Sequence, residues 1–257
     1  MDGFCPLASG SKGNAIFIGT PTTRILLDAG LSAAQTIQRL GDIGVSLASI
    51  QAILVTHDHT DHIAGIERIH ALHDIPVFAN AATAKAIAAI AKKRPRFKIF
   101  TTAEPFRFGD LDITPFSIPH DTPDPVGFVV HMMGKKVGFC ADLGMVTSTV
   151  RNHLQNADYL YLEANHQISM VHASHRPKVY KDRVLGKQGH LSNDECAALL
   201  VALHHAKLHH VHLAHLSSEC NTEQVALEVV RSALQQKGLS LDLSVAYQDR
   251  VSRAIVF

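Results

Sequence analysis

The sequence predicts an α/β fold in four layers, two sheets packed together with helices outside. Three observations carry this. Short apolar runs rich in β-branched and aromatic residues recur along the whole chain. Stretches with helical spacing sit between several of them. No low-complexity linker and no short repeat separates the two halves, each of which mixes hairpins with helices. The 257 residues allow one large domain or two small ones, and the even mixture favours a single domain over 1–257. A chain of this size buries roughly 70–75% of its unfolded surface. A hydrophobic content of 46% is enough to fill such a core.

The elements follow in order. "AIFIG" (15–19) and "RILLD" (24–28) flank "TPTT", which reads as a hairpin turn. Residues 32–40 have helical spacing. "AILVT" (52–56) is a strand that runs directly into "HDHTDH", and 62–72 continue as a helix. "PVFAN" precedes a helical stretch at 81–91. "FKIF", "LDITPFSI", "VGFVVHM" and "KVGFCAD" read as four further strands, with a helix at 147–155 after them. "DYLYLEA", a helix at 193–204, "HHVHLAH", a helix at 222–236 and "DLSVAY" complete the tally. The last helix opens "NTEQVALEVV", with Asn221 or Thr222 as its cap.

Composition narrows the function classes. Lys plus Arg is 24 against 23 for Asp plus Glu, so broad electrostatic attraction to nucleic acid or membrane is disfavoured and only a local basic patch stays open. No apolar run approaches the ~20 residues that span a bilayer. "MDGFCPLASGSKGN" has neither a basic n-region nor an apolar h-region. Cys5, Cys140, Cys196 and Cys220 are scattered and form no CxxC pair. Reduced thiols and a cytoplasmic location are therefore expected.

The unusual count is 18 histidines, and their grouping matters more than their number. "LVTHDHTDHIAG" (54–65) crowds His57, Asp58, His59, Asp61 and His62 together after an apolar run. Imidazole nitrogen and carboxylate oxygen are ligands that divalent Zn, Mn and Fe accept. His57 and His59 lie two apart and point the same way in an extended segment, with Asp58 turned away toward a supporting or surface role. Asp61 and His62 reach a neighbouring point as the chain turns into a helix. Further candidates stand at other strand ends: His120 in "FSIPHDT", Asp142 in "GFCADLG" and His215 in "HLAHLSS". Alone, His120 is an ordinary loop histidine and Asp142 a helix cap. Their occurrence in order with the cluster gives them weight, and the two oxygens of a carboxylate such as Asp142 can face different cations.

His57-x-His59-x-Asp61-His62, then His120, Asp142 and His215, resemble the five motifs of the metallo-β-lactamase fold along nearly the whole chain. The resemblance implies the four-layer αββα sandwich. It also implies two divalent ions per chain (Zn or Mn, with Fe acceptable). His57, His59 and His120 would hold one ion, Asp61, His62 and His215 the other, and Asp142 would bridge them. Two close cations suit hydrolysis, because they lower the pKa of a shared water and hold the attacked group.

Two stretches discriminate among the reactions this fold hosts. "GHLSNDECAALLVALHH" (189–205) is similar to a stretch of tRNA-processing and related nucleases of the fold, in which the histidine protonates the leaving oxygen. By that resemblance His190 is the candidate general acid, and Asp61 of the histidine cluster is the other candidate catalytic residue. "LASGSKGNAIFIG" (7–19) has a Gly/Ser loop whose amides, with Ser11, Lys12 and Asn14, can meet phosphate. Read as a plain tight turn, it does nothing of the kind. It is not a P-loop, since the spacing is wrong and no helix follows.

"LASGSKGN", "LLDAGLS", "FCADLG", "EANHQ", "GHLSN" and "LAHLSSECN" together resemble the YycJ/WalJ-type bacterial subfamily of this fold. That group implies 5′→3′ exonuclease activity on double-stranded DNA. "YLEANHQISMV" adds Glu163, Asn165 and His166 at a strand end, where His166 could touch substrate phosphate or support a metal ligand. The cations of "SMVHASHRPKVYKDRVLGKQGH" read as a DNA-backbone patch or as a solvated loop. The expected partner is therefore nucleic acid, DNA before RNA, with no membrane and with oligomeric state open. Two other readings compete. A thioesterase of glyoxalase II type would use the same ligands without needing His190. A binding protein would keep the metals only as staples.

Overall fold

The computed structural model describes residues 1–257. Two mixed sheets of seven strands each are flanked by helices. The chain forms two compact units. The first comprises Met1–Pro115, Thr122–Val126 and Ala246–Phe257, and the second Phe116–Asp121 and Gly127–Val245.

The first unit holds the sheet ordered β14-β1-β2-β3-β4-β5-β6. Its strands are β1 (Gly3–Ala8), β2 (Ala15–Gly19), β3 (Arg24–Leu27), β4 (Ala52–Leu54), β5 (Val77–Ala79), β6 (Phe97–Ile99) and β14 (Ile255–Val256). β2 and β3 form the hairpin expected from "TPTT", in the register Ile16↔Leu27 to Gly19↔Arg24. From β3 to β6 every pairing is parallel. Helices α1 (Ala33–Asp42), α2 (Thr60–Ile63), α3 (Ile66–His73) and α4 (Ala81–Ile90) are the connections. Ser32 opens α1 with a capping box, and Asn80 caps α4 by accepting from the Thr83 amide. Leu40 of α1, Ile66 and Ile69 of α3, and Ala84 and Ile87 of α4 share one core cluster with Phe17, Leu26, Ile53 and Val77 of the sheet. Buried on both faces, β3 and β4 are continuous apolar runs instead of alternating ones.

The second sheet is ordered β13-β12-β11-β10-β9-β8-β7. It comprises β7 (Phe106–Phe108), β8 (Leu111–Ser117), β9 (Val126–Met132), β10 (Lys135–Cys140), β11 (Tyr159–Glu163), β12 (His210–Ala214) and β13 (Asp242–Val245). β9 and β10 form a hairpin, and β10 to β13 run parallel. In the second unit α5 (Ser148–Leu154), α8 (Asn193–Leu203) and α9 (Glu223–Gln235) bury Leu154, Leu199, Leu200, Val230 and Leu234. Thr222 caps α9, and Ser192 caps α8 with a capping box. α6 (Ile168–Ala173) and α7 (Lys178–Val184) fill the region read from sequence as a cationic segment.

Several histidines serve the architecture. His210 lies inside β12 and bonds across to Asp242 (2.9 Å) and Ser244 (2.8 Å) of β13. The cysteines are reduced and buried as expected. Burial pushes the Cys5 thiol up to about 12 and raises Cys140 and Cys196 well above the usual range. Native protein is therefore expected to react with fewer than about one equivalent of a thiol reagent at pH 8, and with all four thiols after denaturation. Rapid native labelling of two or more thiols would contradict this packing.

Candidate functional site

Parallel strands deliver functional side chains at their carboxyl ends, where the backbone must turn. In the first unit Asp28 directly follows β3, and Thr56 and His57 follow β4 one residue on. Asp28 is buried and has φ +60°, a left-handed conformation that Asp tolerates better than most residues. Its carboxylate accepts from the Thr56 amide and the Thr56 hydroxyl, both at 2.9 Å, and from His62 Nδ1 at 2.8 Å. Thr56 Oγ1 lies 2.9 Å from His57 Nδ1. The arrangement that satisfies both Nδ1 atoms has them as donors, so Nε2 is the nitrogen of each ring that could ligate a cation. The His57 and His62 rings are tilted at 45° to each other with centroids 4.0 Å apart, and His59 meets His57 edge-on at 4.8 Å.

Asn14 holds this cluster from the other side. Its amide nitrogen is 3.1 Å from Asp61 Oδ2 and 2.9 Å from His62 Nε2, and its backbone amide donates to the Asp61 carbonyl at 2.7 Å. Asn14 is buried, so its amide positions Asp61 and His62, while Ser11 and Lys12 of the same loop are exposed. Asp58, turned away as expected, accepts from the Thr122 hydroxyl. Gly30 closes the arrangement. A Cβ there would lie 1.6 Å from the Asp61 carbonyl oxygen. Gly30→Ala is expected to cost about 3 kcal/mol in urea unfolding, with loss of bound metal, because Asp61 must move. Unchanged stability and metal content would show that the Asp61 turn yields freely.

In the second unit Asp142 follows β10 with φ +57° and His215 follows β12 with φ +54°. Both are buried. Such backbone strain, of order 1–3 kcal/mol per residue, clusters where function requires it. Asp142 Oδ1 lies 3.4 Å from His215 Nε2, 3.7 Å from His120 Nε2 and 3.7 Å from His190 Nδ1. His120 Nδ1 donates to the Gly189 carbonyl at 3.1 Å, which turns its Nε2 toward Asp142. Asp142, Glu163, His190 and His215 each offer a ligand atom within 4.8 Å of the others.

Glu163, at the end of β11, has no exposed surface. It accepts from the Leu143 amide (2.5 Å), the Leu191 amide (3.3 Å) and His190 Nδ1 (2.7 Å). Burial disfavours charging the His190 ring, but Glu163 and then Asp142 outweigh it, and the pKa rises above the ordinary histidine value. His190 therefore has one nitrogen anchored and the other available to a reacting atom. Asn165 donates to the His215 carbonyl at 2.7 Å. Asn221 in turn holds the Ala164 and Asn165 carbonyls, and Asn193 bonds to Asn221. Thus "EANH", "GHLSN" and "SSECN" are one polar clamp on the end of β11.

His190 also lines an open cleft of about 500 Å³ with His166, Leu185, Ser192 and Glu195. Burial lowers the pKa of His166 below the ordinary histidine value, against the opposing pull of the Glu163 charge. The cations of the α6–α7 segment are engaged by neighbours: Arg176 by Glu219, Lys178 by Asp182 (2.6 Å), Lys181 by the His172 carbonyl (2.7 Å) and Arg183 by Asp121 (2.6 Å). Exposed pairs of this kind are held weakly in water, so a phosphate can displace them.

Asp28 and Glu163, both buried carboxylates at strand ends, are the functional residues that sequence reasoning left without a role. Each ends an apolar run, "RILLD" and "YLYLE".

The donor chemistry of both units, imidazoles with an anchored second nitrogen beside carboxylates, fits divalent transition metals. Residues 23–213 match the beta-lactamase superfamily domain, and the chain belongs to that superfamily as one of its hydrolytic enzymes. It is 31% identical to Exodeoxyribonuclease YycJ of Bacillus anthracis over 240 residues, 93% of this chain and 91% of that protein. It is 30% identical to Exodeoxyribonuclease WalJ of Streptococcus pneumoniae over 247 residues, 95% of this chain and 92% of that one. The solved structure of the metallo-beta-lactamase fold protein YhfI from Bacillus subtilis superposes with a TM-score of 0.73 at 16% identity, over 98% of this chain and 99% of that one, a likeness of fold. No helix is long and apolar enough to cross a membrane.

Proposed function

We propose that the protein is a dinuclear metal-dependent phosphodiesterase, a 5′→3′ exonuclease acting on double-stranded DNA. His57, His59 and His120 would hold one cation and Asp61, His62 and His215 the other, with Asp142 shared between them. When bound, the pair of cations supplies an activated water at neutral pH and offsets the charge of the attacked phosphate. Asp28 and Thr56 keep His57 and His62 in the ligating tautomer. Asn14 keeps Asp61 in place. His190, anchored through Nδ1 on Glu163, delivers a proton from Nε2 to the departing 3′ oxygen, a poor leaving group as a bare alkoxide.

The observation that carries this reading is the Glu163–His190 pair at 2.7 Å, opening on a cleft. A thiolate leaves without a proton, so a thioesterase has no use for it. The DNA substrate and its class are taken from the relatives named exodeoxyribonuclease. The test is direct. Protein loaded with Mn or Zn should degrade 5′-labelled linear duplex DNA and contain near two metal ions per chain. EDTA should abolish turnover. Preferred hydrolysis of a glutathione thioester, insensitive to His190→Ala, would overturn the proposal.

A further inference from the structure

Strand β6 is the outermost strand of its sheet and pairs only with β5. The Arg96 carbonyl accepts from Val77, and the Phe100 amide donates to the Ala79 carbonyl. In a parallel ladder alternate residues face the neighbour, so the N–H and C=O groups of Phe97 and Ile99 face the open edge. An edge of this kind is a template for another strand. Beside it lies a groove of about 630 Å³, floored by Ala84, Ala88 and Ala89 of α4 and by Phe97 and Ile99. Ile99 is 58% exposed and Ile90 at the end of α4 is 70% exposed.

The rim is cationic. Residues 81–103 contain Lys85, Lys92, Lys93, Arg94, Arg96 and Lys98 and no Asp or Glu. Asp74 engages Arg96, and Glu67 accepts from the backbone amides of Lys92 and Lys93. Lys85 and Arg94 line the groove, and Lys98 sits on β6 between Phe97 and Ile99 with its side chain on the other face of the strand. Lysine on an edge strand ordinarily blunts aggregation. Here it repels a second copy of the same basic edge while favouring an acidic strand. A nucleic acid would use the charges but neither the alanine floor nor the edge amides.

We propose that β6 and the α4 groove dock an extended acidic peptide segment of a partner protein. The peptide pairs antiparallel or parallel with β6 and sets alternate apolar side chains into the groove. Its carboxylates meet Lys85, Arg94 and Lys98.

The test is fluorescence anisotropy with the full chain and three probes. These are a fluorescein-labelled nonapeptide alternating Asp or Glu with Ile or Phe, the same peptide with its acids replaced by Ser, and a nine-nucleotide oligodeoxythymidine. The acidic peptide should bind at least 10-fold more tightly than the Ser peptide. Ile99→Pro removes an outward amide without touching the ladder to β5, a placement that edge strands accept. It should weaken the acidic peptide at least 10-fold at unchanged melting temperature. Lys98→Glu should do the same through charge, and stands as the test if the proline variant loses stability. Absence of measurable binding, or binding indifferent to both variants, overturns the proposal. So does an oligonucleotide that displaces the peptide and shows the same sensitivity to Ile99→Pro.

Discussion

Asp142→Ala should lower DNA turnover by more than about 10⁴-fold, which corresponds to about 5.4 kcal/mol of barrier. The reason lies in how many partners share one carboxylate. His215 and His120 bring Nε2 to 3.4 and 3.7 Å from Asp142 Oδ1, and His190 Nδ1, bonded to Glu163, lies 3.7 Å from it. Asp142 is buried, so no water replaces its charge when it is removed. In the proposed centre it is also the shared ligand, and its loss should drop metal content from near two toward one per chain. Elemental analysis reads this without reference to activity. A circular dichroism spectrum like that of the wild type should accompany it, because Asp142 sits at a strand end and not in the core. Asp142→Ala protein with full metal content and more than about 1% of wild-type activity would remove Asp142 from the centre.

Of the proposed ligand set, His57, His120, Asp142 and His215 were marked in the sequence by the apolar runs they follow, and β-strands in such a fold end where ligands bind. The strands β2 to β6 and β8 to β13 were legible for the same reason. What failed did so for identifiable causes. Residues 62–72 read as one helix, yet the chain forms α2 and α3 with a break at Gly65. There a Cβ would lie 2.1 Å from the Leu31 carbonyl, and the Gly65 amide donates to Ala29. The break is a tertiary contact, and helical periodicity has no information about it. Strand β1 was read in part as loop because Gly3 and Pro6 weaken its pattern, although all six of its residues are buried. β7 and β14 are only three and two residues long. The helices α6 and α7 are six and seven residues long and bury one residue each, Val171 and Val184, so no apolar stripe marks them. Asp28 acts on residues 28 and 34 positions further along, a relation that exists only once β3 and β4 are paired.

His190→Ala should slow hydrolysis of the natural phosphodiester by about 10²–10⁴-fold, the usual contribution of a positioned general acid. Magnitude alone does not identify that role, since a displaced metal ligand produces a similar loss. The leaving group does. A nitrophenyl phosphodiester expels an anion stable at neutral pH, and against it the same variant should lose less than about 10-fold. Metal content should stay near two, because His190 Nδ1 is committed to Glu163 and the ring is not counted among the seven ligands. Glu163→Gln should reproduce the pattern weakly, by about 10–100-fold, the range for a residue that orients another. Its side chain retains the acceptor for the Leu191 and Leu143 amides but no longer fixes the imidazole with a charge. Equal losses on both substrates would reassign His190 to holding metal or substrate. A loss confined to the poor leaving group requires that the proton reach the departing oxygen from this side chain, and the 2.7 Å contact with Glu163 is what aims it there.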